Sequence, residues 1–77
     1  MIETIRSLIS QNLFPLDDSV TETSDLHQEG LDSLALMQLI LLLESEFTIS
    51  IQPTDLDREN FSSLKNIAAL IDSKAVS

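Results

Sequence analysis

At 77 residues and without a single cysteine, the chain has room for one domain around one modest core and for neither a disulfide framework nor a thiolate metal site. A chain of this size buries only about 60% of the surface its unfolded state exposes, which excludes a multi-site enzyme. The formal net charge of -9 argues against nucleic acid or an anionic membrane surface as partner.

The first residues, Met1-Ile2-Glu3-Thr4, lack a basic segment followed by an apolar one. No stretch approaches the roughly 20 apolar residues that a membrane span requires, so a soluble, unprocessed, cytoplasmic protein is expected. Ile2, Ile5, Ile9 and Leu13 recur near helical spacing with Leu8 beside them, which predicts an amphipathic helix over 2–12 that Pro15 ends. Residues 15 to 32 are rich in Asp, Ser and Thr without sustained period and read as one long loop, tacked down by Leu16, Val20, Leu26 and Leu31. A loop that long in so small a domain is more often functional than accidental.

The second helix is predicted over 33–47. At about 100° per residue, Leu36, Leu39, Ile40, Leu43 and Phe47 fall in one arc, and Leu34, Met37 and Leu41 gather on the opposite side. The first set is the better core candidate. The second either packs under the loop or another helix, or forms an exposed partner-docking surface; exposure is the expectation. The segment Thr48 to Pro53 alternates like a short strand, but Pro53 and the lack of a partner strand make it a connector. Thr54 is the expected cap of a single short helix carrying Leu56. Ser62 or Ser63 caps the last helix, with Leu64, Ile67, Ala68 and Ile71 as its apolar stripe and Phe61 as a staple before it. Residues 73–77 are expected to fray. Three main helices and one short one make an all-α four-helix bundle, one domain over residues 1–77.

Between Ser7 and Asp57 lie ten acidic residues and no Lys or Arg. The bland reading is a solvated acidic surface; the alternative is that partners present basic patches. Self-repulsion among these acids destabilises the compact state at low ionic strength. Added salt or divalent cation is therefore expected to raise the melting temperature, and a flat or falling response in a thermal scan would count against this. No ordered ligand spacing supports a specific metal site.

Asp32 and Ser33 stand at the mouth of the second helix. The economical structural account makes Asp32 an N-cap and Ser33 the first helical residue. That leaves Gly30, the only glycine, which permits positive φ or close approach of another group three residues before a hydroxyl on a helix N-terminus. Such a terminus favours an attached anion, so a phosphate on Ser33 is well placed. A catalytic serine would need a base, an orienting group and an oxyanion hole; His27, the sole histidine, lies in the acidic loop and reads as a solvated side chain. Leu31 also interrupts the Gly-Asp-Ser-Leu signature of certain serine hydrolases, and the chain is too short for their fold. No P-loop or basic aromatic patch is present.

Gly30-Leu31-Asp32-Ser33-Leu34, followed by Gln38-Leu39, Leu43 and Glu46-Phe47, closely resembles the acyl carrier protein superfamily, whose G-x-D-S-L attachment site opens helix two. Asp25-Leu26 looks like that family's loop anchor, and Phe61, Ser63, Leu64 and Ile67 like the start of its last helix, so the resemblance covers nearly the whole chain. It implies that a separate phosphopantetheinyl transferase esterifies Ser33 with the 4'-phosphopantetheine of coenzyme A, and that Asp32 helps position the transferase's magnesium. The chain would then hold acyl or aminoacyl groups as thioesters and present them to biosynthetic enzymes without being an enzyme itself. Leu34, Met37 and Leu41 match positions that commonly dock carrier partners.

Implied partners are the transferase, an adenylating or acyltransferase loading enzyme, and a downstream synthase or transferase with a basic docking patch; a monomer is expected. Ala35 and Gln38 stand where fatty-acid carriers usually bear acids. Gln38-Leu39 and Leu56-Asp57-Arg58-Glu59 look more like D-alanyl carriers or stand-alone aminoacyl and polyketide carriers. The chain starts with its own methionine and ends just past the last predicted helix, so a free-standing protein is expected over an excised module. The reading from a different class is an unmodified helical interaction module, with Asp32 only a cap and the stripe binding a partner helix.

Overall fold

Ile5 and Ile9 sit one helical turn apart with no exposed surface, and this stripe organises helix α1, Ile2–Asn12, in the computed structural model, which describes residues 1–75. Leu13 and Phe14 both donate their N–H to the Ile9 carbonyl, at 2.8 and 3.1 Å, and the helix stops there because a residue before proline disfavours helical geometry.

The acidic stretch that follows is pinned from both sides. Arg6 of α1 donates to the Val20 carbonyl at 2.6 Å. Lys65 N–H reaches the Glu22 carbonyl at 2.9 Å, and Leu26 N–H reaches the Ser62 carbonyl at 2.7 Å. Val20, Leu26 and Leu31 are buried and Leu16 half-buried, as their spacing along the stretch suggests. It is not one loop, however. Leu26–Glu29 forms a single turn of helix, α2, capped by Asp25, whose carboxylate accepts from His27 N–H at 2.9 Å, and ended by Gly30 at φ 135°. One turn holding one buried leucine has no period to detect, which is why the apolar pattern misses it.

Helix α3, Ser33–Phe47, has the predicted bounds. Leu39 and Leu43 are fully buried, Ile40 nearly so, and Leu36 and Phe47 pack half-buried against the core. It ends at Thr48 in the left-handed region, φ 53°, a conformation that a β-branched residue adopts with strain. Glu44 steadies the exit by accepting from Ile51 N–H at 2.9 Å, and Ile49 and Ile51 tuck against the core as connector residues rather than a strand.

The single short helix capped by Thr54 is replaced by two 3-10 turns, Pro53–Asp55 and Glu59–Phe61. Gln52 rather than Thr54 is the cap of the first: its carbonyl accepts from Asp55 N–H and its own N–H donates to the Asp55 carboxylate, both at 2.8 Å. Leu56, expected on that helix, is an exposed residue between the turns. The Asp57 carboxylate accepts from Glu59 N–H at 2.9 Å, a local bond that competes with continuous helix.

Helix α4 runs from Leu64 to Ala75. Ser63 is its cap, its hydroxyl accepting from Asn66 N–H at 3.1 Å. Leu64, Ile67 and Ile71 are buried, Ala68 half-buried, and Phe61 is fully enclosed in the same core. α4 packs on α1, and α1 on α3. The radius of gyration, 11.3 Å, is that of a packed chain of this length. The expected fraying does not begin at Ser73: residues 73–75 continue the helix, Ser73 donating to the Leu70 carbonyl at 2.7 Å and Lys74 pairing with Asp55. Residues 76 and 77 lie outside the described residues.

The Lys74–Asp55 pair has a pH signature. Lys74, together with the Gln52 N–H, holds the Asp55 carboxyl below its ordinary value of 3.8. A carboxylate depressed in the folded state stabilises it above the unfolded value and stops doing so as pH falls through the folded one. Lys74→Met is therefore expected to melt below wild type at neutral pH, with the gap closing as pH drops under about 3.8. Thermal scans across pH 2 to 7 check this; a gap constant with pH would contradict it.

Candidate functional site

Ser33 is the first residue of α3 and is exposed. The element is set by Asp32, whose carboxylate Oδ1 accepts from Ala35 N–H at 2.8 Å while its carbonyl accepts from Leu36 N–H at 2.8 Å. The cap expectation for Asp32 thus holds, and its second carboxylate oxygen has no hydrogen-bond partner among the described residues. The Ser33 hydroxyl likewise has no partner there, so it projects into solvent at the positive end of a 15-residue helix. Asp32 and Ser33 adjoin at the head of α3, and Gly30, two residues before Asp32, has a backbone task. Its N–H closes α2 on the Leu26 carbonyl, and a Cβ there would meet the Phe14 ring at 3.2 Å. The close approach expected at Gly30 is therefore made by Phe14.

The other face of the site is apolar. Leu34, Met37 and Leu41 are 71%, 58% and 67% exposed, so the stripe does not pack beneath the loop. Leu41 borders a groove of about 440 Å³ that continues through Leu42 and Gln38 to Leu13 at the end of α1. Residues 33 to 43 carry no charge, and the acids nearest the serine are Asp32 and Glu29. The surface is thus an uncharged ridge bordered by carboxylates.

A second groove, of about 360 Å³, opens at Ser33 itself and is lined by His27, Leu31, Asp32, Leu36 and Arg58. His27 and Arg58 were not legible as site residues. His27 is not a solvated loop side chain: it lies half-buried in α2, with Nδ1 3.4 Å from the Leu31 carbonyl and Nε2 3.2 Å from the Arg58 carbonyl. Both ring nitrogens thus face backbone carbonyls, and the Arg58 contact spans 31 residues of sequence. Only the fold brings the two residues together.

Among the described residues, no group of three or more His, Asp or Glu is placed to hold a metal ion, and no helix is long and apolar enough to cross a membrane. The arrangement offers an attachable hydroxyl to which no base is hydrogen-bonded among the described residues: His27 lines the same groove, but both its ring nitrogens face backbone carbonyls. That suits a residue modified by another enzyme.

Comparison with known proteins identifies the family. Residues 3–71 match the family model described as "Phosphopantetheine attachment site". The chain is 33% identical over 75 residues to the D-alanyl carrier protein of Lactococcus lactis subsp. lactis, covering 86% of this chain and 95% of that protein. It is 35% identical over 71 residues to the acyl carrier protein of Thermotoga maritima, covering 91% and 85%. Its fold superposes with a TM-score of 0.82 at 31% identity on a chain in the crystal structure of an engineered Bradyrhizobium japonicum glycine:[carrier protein] ligase complexed with carrier protein from Agrobacterium tumefaciens and ATP, covering 94% of this chain and 96% of that one. The chain belongs to the phosphopantetheine attachment site family and is a carrier protein, not an enzyme.

Proposed function

We propose that Ser33 is the attachment residue and that the cargo is an amino acid delivered by an adenylating ligase. The observation that carries this is the unpartnered, exposed Ser33 hydroxyl at the head of α3, beside a ridge of exposed apolar side chains. The 4'-phosphopantetheine group contributes a thiol that holds cargo as a thioester. This chain's own residues do the rest. Asp32 fixes the first turn of α3 and keeps a carboxylate oxygen available to a transferase-bound magnesium; Ser33 supplies the oxygen that is esterified, and Gly30 holds the approach to both.

Leu34, Met37 and Leu41 form the docking face for the phosphopantetheinyl transferase, for the loading enzyme and for a downstream synthase or transferase. A partner that fits is apolar opposite α3 and basic opposite Glu29, Asp32 and the acids of residues 17–25. Amino acid rather than fatty acyl cargo is supported by the D-alanyl relative, by the carrier partner of the glycine ligase, and by Ala35 and Gln38 in place of acids on α3. The reading extends to a monomeric single carrier domain over residues 1–77 that works in the cytoplasm.

The test is a loading panel. The phosphopantetheinylated protein, ATP and adenylating ligases for glycine, D-alanine and other amino acids are combined, and the product is analysed for a hydroxylamine-labile aminoacyl mass. Loading by at least one amino acid ligase and none by fatty acyltransferases is expected; the reverse pattern would overturn the cargo assignment.

Met37→Glu and Leu41→Glu should lower kcat/KM for loading by roughly 10- to 100-fold, the scale of a docking residue contributing about 1.4 to 2.7 kcal/mol. Both side chains are exposed, so melting temperature should stay within a few degrees of wild type. Equal loading rates in mutant and wild type would remove this face from the interface.

A further inference from the structure

We propose that Arg58 is the cationic seat for the phosphodiester carried on Ser33, and that the groove beside it receives the first atoms of the arm. This rests on the assignment of Ser33 as attachment residue.

The groove of about 360 Å³ holds the serine and the arginine in one lining, with His27, Leu31, Asp32 and Leu36. A phosphodiester on Ser33 adds a negative charge next to the Asp32 carboxylate, on a chain already at -9 and without Lys or Arg from residue 7 to residue 57. Arg58 is the one Lys or Arg lining that groove. It forms no ion pair among the described residues, although Asp57 and Glu59 flank it in sequence. Asp57 is occupied instead with the N–H of Glu59.

The backbone of Arg58 is fixed while its guanidinium is uncommitted. His27 Nε2 lies 3.2 Å from the Arg58 carbonyl, tying the segment to α2. Asn60 N–H reaches the Asp57 carbonyl at 3.0 Å, and Asn60 Nδ2 reaches the Asp55 carbonyl at 3.0 Å. A planar guanidinium matches phosphate oxygens better than an ammonium does, and the N-terminal N–H groups of α3 add attraction of the same sign. Leu31 and Leu36 give the groove an apolar wall suited to the branched hydrocarbon that follows the phosphate in phosphopantetheine.

Wild type, Arg58→Gln and Arg58→Lys are each treated with coenzyme A, magnesium and a phosphopantetheinyl transferase, and intact mass verifies conversion. Nitrogen-15 spectra of loaded and unloaded wild type should then show the Arg58 Nε–Hε signal shifting while that of Arg6 stays. Loading should lower the melting temperature of Arg58→Gln by about 2 to 4 °C relative to its effect on wild type, the scale of one exposed charge pair in a domain this small. Arg58→Lys should retain most of the wild-type response. An unmoved Arg58 signal, with the same loading-induced change in all three proteins, overturns the seat and leaves the carrier assignment standing. A wild type that gains no mass overturns both.

Discussion

Ser33→Ala should fold as wild type does and accept no arm. The side chain is exposed and its hydroxyl bonds to nothing among the described residues, so its removal costs no packing and strands no partner. Alanine also has the higher helix propensity, and the cap belongs to Asp32, whose bond to Ala35 N–H is untouched. Surface changes of this kind stay within about 0.5 kcal/mol, or about 4 °C in a domain this small. Attachment should nevertheless fall to zero, because no other hydroxyl among the described residues occupies the mouth of α3. A stability change well beyond that window would show that Ser33 has a structural role the hydrogen-bond pattern does not contain.

Gly30→Val should be the costliest single change near the site. At φ 135° the backbone lies where L-residues pay about 1 to 3 kcal/mol, and a β-branched side chain sits at the upper end. The added Cβ would also meet the Phe14 ring at 3.2 Å, so that ring has to give by a few tenths of an ångström. A loss of about 2 to 3 kcal/mol corresponds to a fall of roughly 8 to 24 °C in melting temperature. The comparison with Ser33→Ala separates two roles for the glycine. Were Gly30 present only to give an incoming transferase room, Gly30→Val would melt like wild type and merely load slowly. The geometry predicts the large fall instead.

The parts of the fold legible in the sequence are those with several turns of pattern. α1 and α3 have long apolar periods, and each has a distinct boundary residue, Pro15 after one and Asp32 before the other. The division of α3 into Leu39 and Leu43 inside and Leu34, Met37 and Leu41 outside follows from angle counting alone. Short elements are different in kind. α2 has one buried residue, and its real signals were its two ends, an Asx cap at Asp25 and the positive-φ Gly30. Around Leu56, the side chains of Asp55 and Asp57 each bond the backbone locally, and the choice of two 3-10 turns over one helix depends on which of those bonds forms.

The site divides along the same line. Asp32 and Ser33 are adjacent in sequence and were readable from residue type and position. The His27–Arg58 contact spans 31 residues, and the Lys74–Asp55 pair joins the last helix to a turn; neither leaves a local pattern. Long-range pairs of this kind depend on how α2, the 53–61 segment and α4 pack, which hydrophobic spacing constrains only loosely.

The central claim is that Ser33 is the oxygen to which the arm is joined. It is tested most directly by intact mass after incubation with coenzyme A, magnesium and a broad-specificity phosphopantetheinyl transferase, wild type beside Ser33→Ala. The account predicts that wild type gains one phosphopantetheine, carried on the peptide containing Ser33, and that Ser33→Ala gains none. A wild-type mass that does not change, or a gain that survives Ser33→Ala, would contradict it.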